Sequence, residues 1–507
     1  MTEAALVPAL LVVVPILAAT IPLALGLKVG RNGWSVAAVV CTALFGATIY
    51  LAAVVYGVVG SGGRVVHALG GYPRQYGIEL VADELSTLIA LLVTGVAAAV
   101  LAYTRVGGPR GNTFYSGWLL LTGGLLGLTL TGDVFNMFVF LEIVGLGTYA
   151  LIASGDGPES AVAALKYLIL GTVGASIYLI GVGFLFMSTG TLNMIELSTA
   201  VPETAGYDHT LVRAAFAFIF VGFAIKVAQW PLHTWQPDAY QHAPDGVTPL
   251  IAALVSTVSA YALGRVLYTV FGPEFLAVTP YATEVIVAVG AVSVVAGSTL
   301  AVVQRDVKRM LAYSSVSQFG LIVAAYGLVT ETALIGAIVH LVGHGLMKAG
   351  LFVAVGVVAV GYGARRVEEY AGLAGERPFQ AGSIAVLLIA LVGIPPSIGF
   401  IGKWYIAVGA IEAGAWIVAG VIFLSTMLTL AYAARLLETM YFTPASATDR
   451  AHAPAGVATD GGTPSRVTVG MLALVVGVAV TAVALGFAGG TFFELLDPFV
   501  EEVFADV

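Results

Sequence analysis

Cysteine is almost absent: Cys41 is the only one in 507 residues, and it lies in an apolar run. That excludes an internal disulfide and a cysteine-ligated metal cluster, so redox chemistry is not expected on this chain. Charge is scarce too, with Asp, Glu, Lys and Arg together 10% of residues and a formal net charge of −8 spread among loops. Such a balance leaves no basic footprint for nucleic acid. The chain has no P-loop, no dinucleotide fingerprint, no nucleophile motif and no HExxH pair. Neither an enzyme active site nor a cofactor or metal site is expected.

What is abundant is apolar sequence. Hydrophobic residues make up 59% of the chain, and runs of about 20 of them recur along its whole length, the signature of a polytopic helical membrane protein. No soluble domain fits between the runs. Fourteen spans are expected, at 4–26, 33–58, 80–104, 114–131, 134–154, 161–188, 211–230, 248–271, 281–303, 309–328, 331–360, 380–408, 413–441 and 467–488. The first shows no cleavage site and reads as a retained helix. If the N-terminus is outside, thirteen basic residues fall at inner loops and span ends and three, Arg64, Arg74 and Arg213, at outer ones. This positive-inside bias predicts a multi-pass protein of the cell membrane with both termini on the outer side. Five basic residues, Lys166, Lys226, Arg265, Lys348 and Lys403, remain inside spans. Segment 443–466, rich in Ala, Pro, Gly, Ser and Thr, reads as a flexible inner loop. The tail from Thr491, with Glu494, Asp497, Glu501, Glu502 and Asp506 among Phe and Leu, reads as a short acidic amphipathic helix at the outer surface.

Two spans are interrupted. In GFAIKVAQWPLHTWQPDAYQHAPDGVT (222–248), Lys226 sits in an apolar run that breaks at Trp230 and Pro231; in GIPPSIGFIGKW (393–404), Pro395 and Pro396 precede Lys403. Proline removes a backbone donor, and membranes tolerate such breaks only where they are buried or line a cavity. Lysines in two broken spans are the pattern of transporters built from internal repeats, often inverted. The organisation expected is an N-terminal group of three helices (1–104), a first repeat of helices four to eight (114–271), a second of helices nine to thirteen (281–441), the loop 443–466, and helix fourteen with the tail (467–507).

The intramembrane polar residues carry the functional reading. Glu142, nine residues into a span, needs a cation to stay ionised, and Lys226 on another helix is its natural partner. A change in their separation would change the proton affinity of the lysine, which is how a proton can be passed on. The structural alternative is a static ion pair. His340, His344 and Lys348 recur every four residues and share one helix face, where imidazole is suited to proton relay; satisfied structural histidines are the alternative. Lys403 ends the line. Lys166 either joins the path or snorkels to the inner edge. His233, Asp238, His242 and Asp245 crowd the inner end of the first break and read as a hydrated mouth. Arg305, Asp306, Lys308 and Arg309 are assigned to topology and subunit contacts.

The stretches LVADELSTLIALLVTG, TGDVFNMFVFLEI, GTLNMIEL, KVAQWPLHTWQPDAYQHAPDGVTPL, VQRDVKRMLAYSSVSQFGLI, HLVGHGLMKAGLF and GIPPSIGFIGKW resemble the antiporter-like subunits shared by Mrp-type multisubunit Na+/H+ antiporters and respiratory complex I. The likeness runs from about residue 75 to 440. It implies an all-α membrane fold of fourteen helices, two inverted five-helix repeats, broken helices seven and twelve, and a central line of protonatable groups. By position, Glu142 resembles the family's fifth-helix glutamate, Lys226 its seventh-helix lysine, His340 and His344 its eleventh-helix polar pair, and Lys403 its twelfth-helix lysine. The eighth span departs from the pattern: Thr257 stands where family members commonly carry a lysine. A hydroxyl orders water but holds no proton as an ammonium does, so either the link from Lys226 to the eleventh helix relies more on water or conduction is weaker. GTLNMIEL and the stretch around Asp83 most resemble the D-type Mrp subunit, which implies proton translocation within a monovalent cation/proton antiporter among other membrane subunits, with H+ and Na+ as the exchanged ions. A pump module of complex I or a membrane-bound hydrogenase is the redox alternative. A scaffold with a degenerate path is the structural one.

Overall fold

The computed structural model describes residues 3–27, 32–109, 111–444 and 467–505. The Pro- and Gly-rich loop, beyond its first two residues, lies outside them, as do Lys28, Arg31, Arg110, Arg450, Arg466 and Asp506. Six helices of membrane length lead into the first break: α1 (Ala4–Gly26), α2 (Gly33–Val55), α3 (Glu84–Thr104), α4 (Asn112–Leu130), α5 (Val134–Ala153) and α6 (Pro158–Thr189). The seventh is split into α7a (Thr210–Lys226) and α7b (Trp235–His242). Then come α8 (Thr248–Val278), α9 (Ala282–Val302), α10 (Val307–Tyr326) and α11 (Glu331–Tyr362). A second split pair, α12a (Pro378–Val392) and α12b (Ile398–Glu412), leads to α13 (Trp416–Phe442), α14 (Val469–Phe487) and α15 (Gly489–Phe504).

Among the described residues, eleven helices are long and apolar enough to cross a membrane. The expected spans outside that set are the two broken ones and α10. The breaks leave α7a, α12a and α12b with only 17, 15 and 15 residues. α10 has the length but carries Lys308, Arg309, Ser314, Ser315, Ser317 and Gln318. It is nonetheless almost wholly buried, so its polar groups face protein rather than lipid.

Helix starts follow local chemistry. Aspartates cap α3, α5 and α10: Asp83, Asp133 and Asp306 accept from the backbone N–H groups of Ser86, Asn136 and Arg309 at 2.8, 2.6 and 2.8 Å. Each satisfies an orphan donor and places negative charge at a helix N-terminus. The third span therefore begins at Glu84 and not at residue 80. Residues 79–82 instead form strand β2 (Glu79–Ala82), antiparallel to β1 (Val65–Ala68) with Val65 opposite Ala82. The hairpin was not expected, because four-residue strands beside long apolar runs leave no periodic trace.

α8 and α11 form the centre of the molecule. The most apolar stretch of α8 is entirely buried and that of α11 94% buried, against 28% for α2 and 22% for α14. Close helix pairs are made through glycine, as is usual where there is no water to drive association. A Cβ on Gly222 of α7a would stand 2.8 Å from the Gly174 carbonyl of α6. The two ends of the described chain lie on the same face: the N-terminal turn packs on β1, and Arg64, next to β1, pairs with Glu502 of α15 at 2.6 Å.

Candidate functional site

α7a terminates at Lys226, and the backbone leaves the helical path two residues later. Ala228 has φ +57°, the Trp230–Pro231 peptide is cis, and Trp230 donates its backbone N–H to Ser293 Oγ of α9 at 2.7 Å. The carbonyl of Ile225 accepts from the Ala228 backbone N–H at 3.1 Å and from Trp235 Nε1 of α7b at 2.9 Å, which ties the two halves together. Lys226 thus sits in the last turn of a helix, where the backbone dipole favours a cation. Its Nζ lies between two glycines, 3.8 and 3.7 Å from where Cβ atoms on Gly145 of α5 and Gly171 of α6 would stand. It borders a cavity of about 10 Å³, lined also by Tyr167, Trp235 and Ser259, room for about one water.

Glu142 lies one turn before Gly145 on α5, within electrostatic reach of Lys226. The pair is coupled but does not touch: no ion pair within 4 Å joins Glu142 and Lys226. Glu142 is half-buried, on a stripe with Phe135, Val139 and Leu146, which are 44, 37 and 54% exposed. It therefore occupies the flank of the chain, with Lys226 inside.

The second cluster is built by α10, α11 and α12b. His340 Nε2 and Gln318 Oε1 are 2.9 Å apart. Lys348 Nζ donates to the Leu311 carbonyl at 2.7 Å and to Ser314 Oγ. His344, between them on α11, packs edge-on against Phe319 with ring centroids 4.6 Å apart, and neither of its nitrogens has a protein partner. Lys403, on the second turn of α12b, reaches back to the Leu391 and Val392 carbonyls at the end of α12a, at 3.1 and 2.9 Å. An ammonium thus satisfies acceptors freed by the break.

Between the clusters, Thr257 of α8 is fully buried and its Oγ1 has no protein partner. The same holds for both amide atoms of Gln229, in the break after Lys226, and for Gln318 Nε2. Buried polar groups of this kind are normally satisfied by internal water. α8 carries π-helical turns at Ile251–Val255 and Val266–Phe271 on either side of Thr257, a distortion frequent at functional sites.

The face beyond α7b holds a network of ion pairs. Asp238 accepts from Lys166 at 2.6 Å and Arg309 at 2.8 Å, and Arg309 also reaches Gln241 at 2.9 Å. Asp245 pairs with Lys308 at 3.1 Å and Arg365 at 3.0 Å. Burial pushes the Asp245 carboxyl up, but the Lys308 and Arg365 charges outweigh it and hold it below the ordinary carboxylate value. These contacts give Lys308 and Arg309 a role within the chain beside the topology assigned to them, since α10 packs on α7b and delivers the two side chains to Asp245 and Asp238. His233 is buried beside Tyr313, ring centroids 5.9 Å apart, and His242 is half-buried at the end of α7b.

All five basic residues inside spans are now placed. Lys166 pairs with Asp238, Arg265 with Asp83 at 2.6 Å, Lys348 with Ser314 and the Leu311 carbonyl, and Lys403 with the end of α12a. Lys226 alone among them donates to no protein acceptor. The sequence reading missed Gln318 and Ser314 as partners of the histidine stripe, although SSVSQ within a span, with polar groups four apart, was the available signal. It also missed Tyr167, Gln229 and the Asp83–Arg265 pair.

The transmembrane family model for NADH:quinone oxidoreductase and Mrp antiporter subunits matches residues 131–429, a stretch that holds both breaks and every group of the buried line. The chain belongs to this family. Among curated members of the NADH:quinone oxidoreductase/Mrp antiporter family, the chain is 43% identical over 378 residues to the N-type subunit of NADH-quinone oxidoreductase from Desulforudis audaxviator, covering 74% of each. It is 31% identical to the D-type subunit of the Na(+)/H(+) antiporter from Bacillus subtilis, covering 72% of this chain and 73% of that one. In the solved Mrp complex from Dietzia sp., a chain with 27% identity superposes with a TM-score of 0.86 over 99% of this chain and 98% of its own length.

Proposed function

We propose that this chain is the proton-translocating, D-type subunit of a multisubunit monovalent cation (Na+)/proton antiporter. The observation that carries the reading is the buried line from Lys226 to Lys403, in which Lys226 alone of the internal cations lacks a protein acceptor. An ammonium next to a cavity, with a carboxylate nearby but out of contact, has two stable situations available to it: closer to Glu142, or turned towards water that leads to Thr257 and His344. Each situation sets a different proton affinity, so movement between them loads and releases a proton. The His344, His340 and Gln318 relay then passes the proton to Lys403. Lys166, Asp238, His233 and His242 form the mouth at the α7b end. Na+ is assigned to the complex and not to this path, which has no converging carboxylates.

In this reading fourteen helices span the cell membrane, α4–α8 and α9–α13 form two inverted repeats, and residues 443–466 are a flexible loop. The basic loops beside Asp245 face the inside and both termini the outside. Glu142, on the flank, abuts a neighbouring membrane subunit. The test is Glu142→Gln and Lys226→Ala in the whole complex. Each should abolish antiport while the complex still assembles, whereas transport that survives either change would remove the role.

The 43% identity to an N-type subunit favours a second reading, a pump module of a redox-driven complex such as complex I or a membrane-bound hydrogenase. Purifying the native complex in mild detergent and identifying its companions by mass separates the two. Small hydrophobic companions without redox centres fit the antiporter, and flavin, iron–sulfur or nickel subunits fit the pump. A third outcome, in which Lys226→Ala disturbs assembly and leaves flux unchanged, would make the chain a scaffold.

A further inference from the structure

On the face of α11 opposite the histidine stripe, packing against α3 and α14 is incomplete, and Leu346 is only half-buried there. A groove of about 440 Å³ runs along it, bounded by α3 from Leu88 to Val100, by α11 from Val342 to Val353 and by α14 from Leu474 to Leu485. Phe492 and Leu495 of α15 close one end, and Phe45 of α2 forms part of the wall. No lining side chain carries a charge, an amide or an imidazole; two threonine hydroxyls are the only polar groups.

Its dimensions select an occupant. Val342 to Val353 is twelve residues, eleven helical rises or about 16.5 Å; the volume over that length gives the centre of a water-sized sphere a cross-section of about 27 Å², and adding the sphere's radius of about 1.4 Å on each side leaves about 9 Å between the walls. A helix with its side chains is 10–12 Å across and does not enter. One extended hydrocarbon chain does. The length is that of one leaflet's hydrocarbon, half of about 30 Å, and the groove runs along helices that cross the membrane. A void there would forfeit dispersion contacts on both of its walls.

We propose that this groove is a binding site for one acyl chain of a membrane phospholipid, seated behind α11. At 100° per residue, Leu346 and Val353 point away from His340, His344 and Lys348. The lipid chain therefore braces the back of the helix whose front carries the relay, without touching the relay itself. The proposal does not depend on which ion the path conducts.

The test uses the intact complex in native membranes, supplied with a phosphatidylglycerol that bears a diazirine midway along one acyl chain. After irradiation, adducts are mapped on peptides. Adducts at Leu92, Val96, Leu346 and Val353 should be several-fold denser than at Val39 and Phe423, which are 71 and 68% exposed on other apolar faces. Ala99→Phe, which fills the slot from α3, should lower the groove adducts to the density at Val39 and leave the Val39 adducts unchanged. Leu346→Trp provides the same blockade from α11 if Ala99→Phe fails to assemble. Groove adducts no denser than those at Val39 in the unaltered complex would overturn the proposal, as would a neighbouring subunit cross-linked to these residues in place of lipid.

Discussion

Gly402 of α12b lies directly against the backbone of His340 on α11: a Cβ on Gly402 would stand 2.6 Å from the His340 Cα. The contact brings the lysine-bearing half-helix alongside the histidine stripe, with Lys403 on the next residue. No flexible side chain is available there to give way. Gly402→Ala should separate the helices and cost about 1–3 kcal/mol, the usual range for overpacking. The checks are the thermal transition of the purified complex and its antiport rate. Both should fall, and unchanged values would mean that α12b shifts without consequence.

Gln318 is the partner that the His340 imidazole finds inside the protein, at 2.9 Å. Gln318→Leu leaves a buried ring nitrogen without that partner, a loss of about 1–3 kcal/mol. The relay reading expects proton flux to drop about tenfold or more while the complex assembles in normal yield. Gln318→Glu, which keeps the acceptor, should restore part of the flux. Equal flux in all three proteins would take His340 off the path.

Thr257 tests the water-dependent link. Thr257→Val removes the hydroxyl and keeps the shape, so assembly should be unaffected while transport falls. Thr257→Ser, which keeps the hydroxyl, should transport nearly as well as the parent. A Val variant as fast as the Ser variant would show that the hydroxyl orders nothing that protons use.

The Asp83–Arg265 pair at 2.6 Å, with side chains 3 and 8% exposed, is held by Tyr261 and faces the Phe499 ring at 5.1 Å. Breaking such a pair strands a buried charge. Asp83→Ala should cost about 3–5 kcal/mol, read as a lower thermal transition and release of α15. Asp83→Ala combined with Arg265→Leu should recover most of the loss, because replacing both partners leaves no unpaired charge. A double variant as unstable as the single one would mean that the capping role of Asp83 dominates.

Asp245 gives the face beyond α7b its acid sensitivity. Its folded-state carboxyl is held below the ordinary value of 3.8 by Lys308 and Arg365. The unfolded form therefore binds its proton first as pH falls. The stabilisation is complete above the ordinary value and is lost as pH drops through the lower folded one. Protection against hydrogen exchange around residues 243–247, taken relative to an unfolded amide at the same pH, should be high at neutral pH and fall below about 4, the ordinary carboxylate range. In Asp245→Asn, protection should already be low at neutral pH and should lose this acid dependence.

The sequence alone determined what depends on local composition and period. Apolar runs of membrane length, proline at Pro231 and at Pro395 and Pro396, and polar groups four apart at His340, His344 and Lys348 are properties of a few consecutive residues, so eleven of the expected spans, both breaks and the shared helix face were legible before any contact was known. Which group meets which was decided by tertiary structure, because the rotation and register of one helix against another leave no mark in either sequence. That is why Asp83 and Arg265, 182 residues apart, were unmatched in the sequence. It is why Lys308 and Arg309 read as loop charges until α10 was seen to pack on α7b, and why Glu142 and Lys226 prove to be near each other but not in contact. The groove behind α11 belongs to the same class, since only the spacing of five helices creates it.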